Sequence, residues 1–406
     1  MSPTLHLYTR RNDSGWDELS KWLDAVSVDL RRLERDDDQS YGSHRNSFLL
    51  LDTARQRRAR RSSCTGKVAR LRKGRRYFQR PPKCEIEGAQ SQNRSKSAIE
   101  RTTLQGYGNP HQKRSCRGPI DKYAAAGGCG ILHTKLWMVD RDEVYVGSAN
   151  TDWRSLAHVK ELGLHITNCS CLLEDYGKIF DAYWDMALPD AQIPHKWPAD
   201  LSTPFNEIHP MSISVNSSEA LVYLSSSPPQ MCPDGRESDI SSIISTIHKA
   251  DHFIYVAVMD YFPLMIYGAK PTFWPVIDDA LRAAAVDRRV EVRLLVSYWN
   301  YTRPNERQFL KSLTFLSGSF KGVSISVKFF VVPSSSAQRQ IPYARVNHNK
   351  YMVTDNIAYV GTSNWSGDYF VNTAGVGTIV SGNTTLRQEL EDLFLRDWMS
   401  EFAYPI

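Results

Sequence analysis

The feature that most constrains this chain of 406 residues is a pattern that occurs twice. His133-Thr-Lys135 matches His348-Asn-Lys350. Asp140 and Asp355 each follow their histidine by seven residues, and Gly147-Ser-Ala-Asn150 matches Gly361-Thr-Ser-Asn364. Downstream, Phe180 and Trp184 match Phe394 and Trp398. Trp184 lies 51 residues after His133 and Trp398 lies 50 after His348. A motif and an amphipathic segment that recur together at one offset mark an internal repeat.

Hydrophobic periodicity places the motifs on regular structure. Residues 131–139 and 143–146 read as strands joined by a turn at Asp140, 162–166 as a third strand, and 172–186 as a helix. A Pro/Ser-rich connection covers 189–229. Helices then fall at 239–249, 274–285 and 306–316, and strands at 253–259, 290–297 and 325–332. This alternation predicts an α/β sandwich. Four regions result: a basic, low-order segment at 1–127, a partial first repeat at 128–190, a connection at 191–230, and a second repeat at 231–406. In the low-order segment only a short helix near 16–33 shows periodicity, and 48–51 is too short to define an element. The strand at 253 begins 95 residues before His348. The same offset before His133 falls at Asp38, in the low-order segment, so the first repeat is expected to lack its front half.

The net charge of +6 is local. Twelve Lys or Arg and no acid lie between Ala54 and Arg80, which leaves 38 basic against 44 acidic residues elsewhere. The overall charge is therefore weak evidence for a basic binding face on the folded part. No run of eighteen apolar residues predicts a membrane span, and the first residues do not read as a signal peptide. Seven cysteines fit no zinc spacing. Cys169 and Cys171 read either as thiols with distant disulfide partners or as free cysteines at a strand end. Seven Asn-x-Ser/Thr sequons lean toward a luminal glycoprotein, although the one at Asn364 lies inside a motif.

The paired motif suits one chemistry. Splitting a phosphodiester without a metal needs a nucleophile, an acid for the leaving oxygen, and positive charge over the remaining phosphate oxygens. Imidazole titrates near neutrality, so His133 and His348 can divide the first two roles. Lys135 and Lys350 stand two residues from their histidines, which on a strand is the same face. Asn150 and Asn364 follow a tight turn and can donate amide hydrogens to the same oxygens. Asp140 and Asp355 belong to the motif but fall at strand ends, where holding a turn is the expected task. No cofactor and no metal ligand set is implied.

His-x-Lys-x-x-x-x-Asp with Gly-Ser/Thr-x-Asn resembles the signature of the phospholipase D superfamily. The strings Leu132-His-Thr-Lys135, Gly147-Ser-Ala-Asn-Thr-Asp-Trp-Arg-Ser-Leu156, Val159-Lys-Glu-Leu-Gly163, Ile341-Pro-Tyr-Ala-Arg-Val-Asn-His-Asn-Lys-Tyr-Met-Val-Thr354 and Gly361-Thr-Ser-Asn-Trp-Ser366 are similar to the animal phospholipase D family members three and four. That resemblance implies two α/β sandwich repeats with an active site at their pseudo-twofold interface. It implies a phosphohistidine intermediate, with His133 as nucleophile and His348 as acid. It also implies a 5′ exonuclease on single-stranded DNA or RNA, in an endolysosomal or endoplasmic-reticulum membrane setting. The alternatives are a lipid-directed phospholipase D or transphosphatidylase, and an inactive product of a truncated first repeat. Glu161 stands where the superfamily places a carboxylate that orients a histidine; the second copy reads Asn372-Thr-Ala-Gly375 there, so one histidine is expected to have a carboxylate and the other not. Trp153, Trp365, Tyr369 and Phe370 could stack on bases, with at least two of them expected in the core. Oligomeric state is not legible.

Overall fold

The computed structural model describes residues 48–51, 83–90, 130–187, 191–215 and 218–406. The helix expected at 16–33 and the basic stretch at 54–80 lie outside them. The strands are β1 (Phe48–Leu51), β2 (Lys83–Gln90), β3 (Leu136–Val139), β4 (Glu143–Gly147), β5 (Leu162–Thr167), β6 (Met211–Val215), β7 (Ser218–Ser227), β8 (Glu237–Ser238), β9 (Phe253–Val258), β10 (Leu264–Met265), β11 (Thr272–Phe273), β12 (Glu291–Ser297), β13 (Ile325–Phe330), β14 (Lys350–Thr354), β15 (Ile357–Gly361), β16 (Gly375–Ser381) and β17 (Ala403–Pro405). The helices are α1 (Trp153–His158), α2 (Ser170–Ala187), α3 (Asp239–His248), α4 (Val276–Arg288), α5 (Glu306–Thr314), α6 (Ser336–Arg339), α7 (Gly367–Val371) and α8 (Thr385–Trp398).

One mixed sheet runs β1-β3-β4-β5-β2-β6-β7-β16-β15-β14-β9-β12-β13-β17, with β8 beside β7. The repeat is visible in it. β3-β4-β5 form an antiparallel meander, as do β14-β15-β16. β2 borders β5 antiparallel, as β7 borders β16. The halves differ beyond the meanders: β9 is antiparallel to β14, whereas β1 is parallel to β3. Among the described residues the first half has no strands in the places of β12 and β13.

Side-chain alternation builds the layers. In β9, Ile254, Val256 and Val258 face a core with α3, α4 and α5, while Tyr255 and Ala257 face the core that holds α2 and α8. The second core is shared by both halves: Leu136, Val144 and Leu164 of the first meander join Tyr351, Val353 and Val360 of the second in one cluster. Helices cross the boundary as well. Tyr183 of α2 donates to the carbonyls of Ser227 and Gly375, and the Tyr176 and Thr378 hydroxyls meet at 2.6 Å.

The repeated aromatic pairs stack alike, Phe180–Trp184 at 5.9 Å and Phe394–Trp398 at 5.5 Å. Their fates differ. Trp398 is 6% exposed, covered by Arg293 of β12 and Lys328 of β13, whereas Trp184 is 48% exposed. The strands that cover the second tryptophan are those without a described counterpart in the first half.

Two readings need correction. The segment 1–127 was expected to hold no definable strand, yet β1 and β2 take places in the sheet. β1 is apolar but only four residues long, and β2 is mostly polar; pairing with β3 and β5 satisfies backbone groups that a bare sheet edge would leave open. The connection at 189–229 contains β6 and β7. Its serine content hides them, because Ser225, Ser226 and Ser227 are fully buried and donate to Asp239, the Met231 carbonyl and the Thr373 carbonyl. Cys169 and Cys171 are disulfide-bonded, and Cys232 is a free thiol whose pKa burial raises to about 11. Among the described residues no helix is long and apolar enough to cross a membrane.

A buried ion pair ties α2 to the second half. Arg236 donates to both carboxylate oxygens of Asp175, at 2.6 and 2.7 Å, and both side chains are nearly inaccessible. Removing one partner leaves the other charge buried. Arg236→Met is expected to lower unfolding free energy by about 3–5 kcal/mol, seen as a reduced denaturant midpoint; an unchanged midpoint would show that the pair does not secure α2.

Candidate active site

The two histidines sit just ahead of β3 and β14 rather than within regular strands, and each is held by the backbone of the other half. His133 donates its N–H to the Ala374 carbonyl at 3.1 Å, while Ala374 donates to Ile131 at 2.9 Å. His348 donates to the Lys160 carbonyl at 2.8 Å, and Lys160 donates to Val346 at 2.9 Å. Ala374 immediately precedes β16 and Lys160 lies two residues before β5, so the two exchanges are related by the pseudo-twofold. Neither histidine segment is positioned without its neighbour.

The lysines repeat the symmetry. Lys135 Nζ donates to the His133 carbonyl and Lys350 Nζ to the His348 carbonyl, each at 2.6 Å, and both side chains are buried. Burial lowers both ammonium pKa values, Lys350 to about 7, and the nearby Lys350 charge lowers Lys135 further. Two buried cations this close favour an anion between them.

The turn after each meander hairpin brings up the asparagine. Gly147 lies opposite Gly163, and a Cβ on Gly147 would meet the Gly163 Cα at 2.3 Å. Only glycine permits that approach, which lets Ser148 reach across. The Asn150 backbone is fixed by the Ser155 hydroxyl at 3.1 Å. Asn364 is buried, its Nδ2 donating to Tyr369 Oη at 3.2 Å and to Asp260 at 3.4 Å, its Oδ1 without a partner. Burial of Asn364 also removes its sequon from the accessible set.

The symmetry breaks at one residue. Glu161, 3% exposed, accepts from Ser148 and Ser155 at 2.6 Å each and meets His348 Nδ1 at 2.8 and 3.1 Å. The carboxylate of the first half thus serves the histidine of the second. Register places Gly375 where Glu161 stands, because Gly163 pairs with Gly147 as Gly377 pairs with Gly361. A Cβ there would meet Ser363 Oγ at 2.4 Å and Ser227 Oγ at 2.8 Å, so the second half has no room for a side chain. Five residues after the asparagine, Ser155 is replaced by Tyr369, whose ring lies edge-on to His133 at 4.9 Å. His133 Nδ1 is buried without a hydrogen-bond partner.

The titration consequences follow from geometry. Burial pushes the His133 pKa well below the usual imidazole value, and Lys135, Lys350 and His348 push it further; the nearby Thr362 backbone only partly opposes them. Burial also lowers His348, but Glu161 pulls in the opposite direction, and the net depression is smaller. Burial raises the Glu161 carboxyl, yet the His348 ring, Lys350 and Ser148 outweigh it and leave it below its ordinary value. Of the two rings, only His348 has a carboxylate to support a proton.

Asp140 and Asp355 do not join this group. Asp140 is exposed at a turn with φ 48°, and Asp355 accepts backbone N–H groups of Asp251, His252 and Phe253 at 3.0–3.3 Å. Seven extended residues separate Asp355 from His348, on the order of 20 Å. Their inclusion among catalytic positions is corrected to loop anchoring for Asp355 and a turn position for Asp140. Trp365 and Phe370 are core, at 1% exposure, and Tyr369 is buried against His133; Trp153 is partly exposed beside Arg154 and His158.

Three participants were not foreseen from sequence: Ser155 on Glu161, Tyr369 as a cover for His133, and Asp260 beside Asn364. Asp260 follows β9, at the carboxyl end where α/β sheets gather their ligand groups. Burial raises its carboxyl against the pull of Lys350 and Arg303, and it raises the neighbouring Glu306 to about 9. No cluster of three or more His, Cys, Asp or Glu that could hold a metal occurs among the described residues.

The site as built is an anion receptor whose charge depends on Lys350. Sulfate, which does not itself titrate near neutrality, is expected to bind more weakly as pH rises through about 7, measured by calorimetry; pH-independent binding would place the anion elsewhere.

A family model described as "PLD3/4, PLD-like domain" matches residues 120–335, more than half the chain. 5′-3′ exonuclease PLD3 of Xenopus laevis is 51% identical over 280 residues, covering 68% of this chain and 57% of that protein. 5′-3′ exonuclease PLD4 of Mus musculus is 48% identical over 285 residues, 68% of this chain and 56% of the relative. The chain thus spans a little over half the length of these relatives. Phosphatidylserine synthase of Haemophilus influenzae superposes with TM-score 0.44 at 12% identity, over 68% of this chain and 64% of the other, too loosely to carry an argument.

Proposed function

Because this chain belongs to the phospholipase D family, in the branch of PLD3 and PLD4, we propose that it is a phosphodiesterase that forms a phosphohistidine, and that its substrate is single-stranded nucleic acid cleaved from the 5′ end. The observation that carries the chemistry is Glu161 on His348 with nothing equivalent on His133.

The nucleophile must be neutral and the acid protonated. His133, without a carboxylate and surrounded by cations, is the neutral ring, and its Nε2 lone pair attacks phosphorus. His348, its Nδ1–H held by Glu161, carries the proton on Nε2 and gives it to the departing oxygen as the P–O bond breaks. Lys135, Lys350 and the amides of Asn150 and Asn364 share the charge that builds on the remaining oxygens. In the second half, His348 takes a proton from water, which attacks phosphorus. The P–N bond breaks, and a phosphate monoester leaves with His133 neutral again. Tyr369 holds the His133 ring by edge contact.

Nucleic acid as substrate rests on what the relatives are named for, 5′-3′ exonucleases, at about half identity. The endolysosomal setting is part of the same proposal. Disulfide bonding of Cys169 and Cys171 supports an oxidising compartment.

The roles predict a dependence on leaving group. Nitrophenolate departs without an acid, so His348→Ala is expected to lose on the order of a hundred- to ten-thousandfold on an oligonucleotide with a 5′-hydroxyl and far less on a nitrophenyl diester. His133→Ala should lose both, and EDTA should leave the parent unaffected. Equal losses for both substrates in His348→Ala would remove His348 from the acid role. Cleavage of a phospholipid but not the oligonucleotide would replace the substrate.

A further inference from the structure

The carboxyl ends of β12 and β13 and the segment before His348 meet at the rim of the site. Asn347 donates its N–H to Ser297 Oγ at 3.1 Å, and Arg345 donates to the His158 carbonyl of α1 at 2.9 Å. Directly on these joints stands a row of rings. Tyr301 and Tyr343 stack at 4.3 Å with 13° between planes, and Trp299 meets Tyr301 edge-on at 4.8 Å. Tyr301 is 45% exposed. The row is built deliberately. Trp299 and Thr302 close a turn through Trp299 N–H to Thr302 Oγ1 at 2.9 Å and Thr302 N–H to the Trp299 carbonyl at 3.1 Å. Tyr343 and Arg345 both hold left-handed backbone, φ 57° and 55°, which is costly for residues with side chains and persists where surroundings impose it.

Charge points the same way. The segments 298–307 and 333–345 contain Arg303, Arg307, Arg339 and Arg345, and their one acid, Glu306, is buried. Across the rim, α1 adds Trp153, Arg154 and His158, with the Arg154 guanidinium 4.9 Å from the Trp153 ring centroid. Aromatic faces interleaved with cations, with Glu306 buried and Asp152 engaged as the cap of α1, suit the bases and backbone of a single strand, since every base offers a π-face.

We infer that Trp299, Tyr301 and Tyr343 form a stacking ledge for the single strand on the leaving-group side of the scissile phosphate. The side follows from attachment. The ledge is joined to the His348 segment, and His348 protonates the oxygen that departs, so the strand attached to that oxygen runs over the ledge. The inference rests on the nuclease reading above.

The test compares an oligothymidylate of about a dozen nucleotides with bis(4-nitrophenyl) phosphate, which has no base to stack. Steady-state kinetics are measured for the parent, Tyr301→Ala and Tyr301→Phe. Tyr301 is half exposed, so its loss should not compromise folding. Expected is a rise of about tenfold in KM for the oligonucleotide relative to the small diester in Tyr301→Ala, with recovery in Tyr301→Phe. A parental oligonucleotide KM in Tyr301→Ala, or equal changes on both substrates, overturns the ledge and leaves the nuclease reading standing. A parent that cleaves the small diester but not the oligonucleotide overturns both.

Discussion

Everything in the site depends on an exchange of backbone hydrogen bonds between two halves of one sheet. The His133 segment pairs with Ala374 and the His348 segment with Lys160, so each motif is completed by the chain just ahead of the other half's third meander strand. Buried polar backbone must be paired. The exchange meets that need and sets the spacing of two histidines and two lysines at once. The shared core behind it, with α2 bonded to β7 and β16, keeps the halves in register. Among the described residues the first half has no counterparts of β12 and β13, yet its motif is in place, because it is held from the other side.

Within that symmetric frame, chemistry requires asymmetry: two identical rings would compete for one proton. Glu161 resolves the competition across the interface. Its two serine partners keep the carboxylate aimed at His348, and Gly375, hemmed by Ser363 and Ser227, keeps the corresponding place in the second half free of any side chain. Tyr369 occupies the ground that Ser155 holds in the first half and covers His133 with an apolar edge. A duplicated scaffold thus yields one imidazole backed by a carboxylate and one that is not, from differences at two pairs of positions.

Much of this was legible in sequence, and the limits were physical. The repeated motif, the β3-β4-β5 meander and the helix carrying Phe180 and Trp184 announce themselves by spacing and period. Glu161 was visible as a carboxylate with no counterpart in the second copy. Its partner was not, since nothing local says that it reaches into the other half. β6 and β7 were obscured by serines whose hydroxyls are satisfied only by tertiary contacts, and β2 by a composition that pairing with β5 overrides. Tyr369 reads as a core aromatic until its edge is seen against His133. Asp260 has no motif at all; only the topology, which gathers strand ends around Lys350 and Asn364, brings it to the site. The motif aspartates show the converse: their spacing is regular because it marks a strand end, not because they approach the histidines.

The central claim is that the proton resides on His348 and the phosphoryl group on His133. The most direct measurement is to quench the parent enzyme in alkali during turnover and locate the acid-labile phosphoryl group by mass spectrometry of the peptides. The account predicts the label on the peptide that contains His133 and none on the peptide that contains His348. A label on His348 would contradict it, and would mean that Glu161 activates a nucleophile rather than securing an acid.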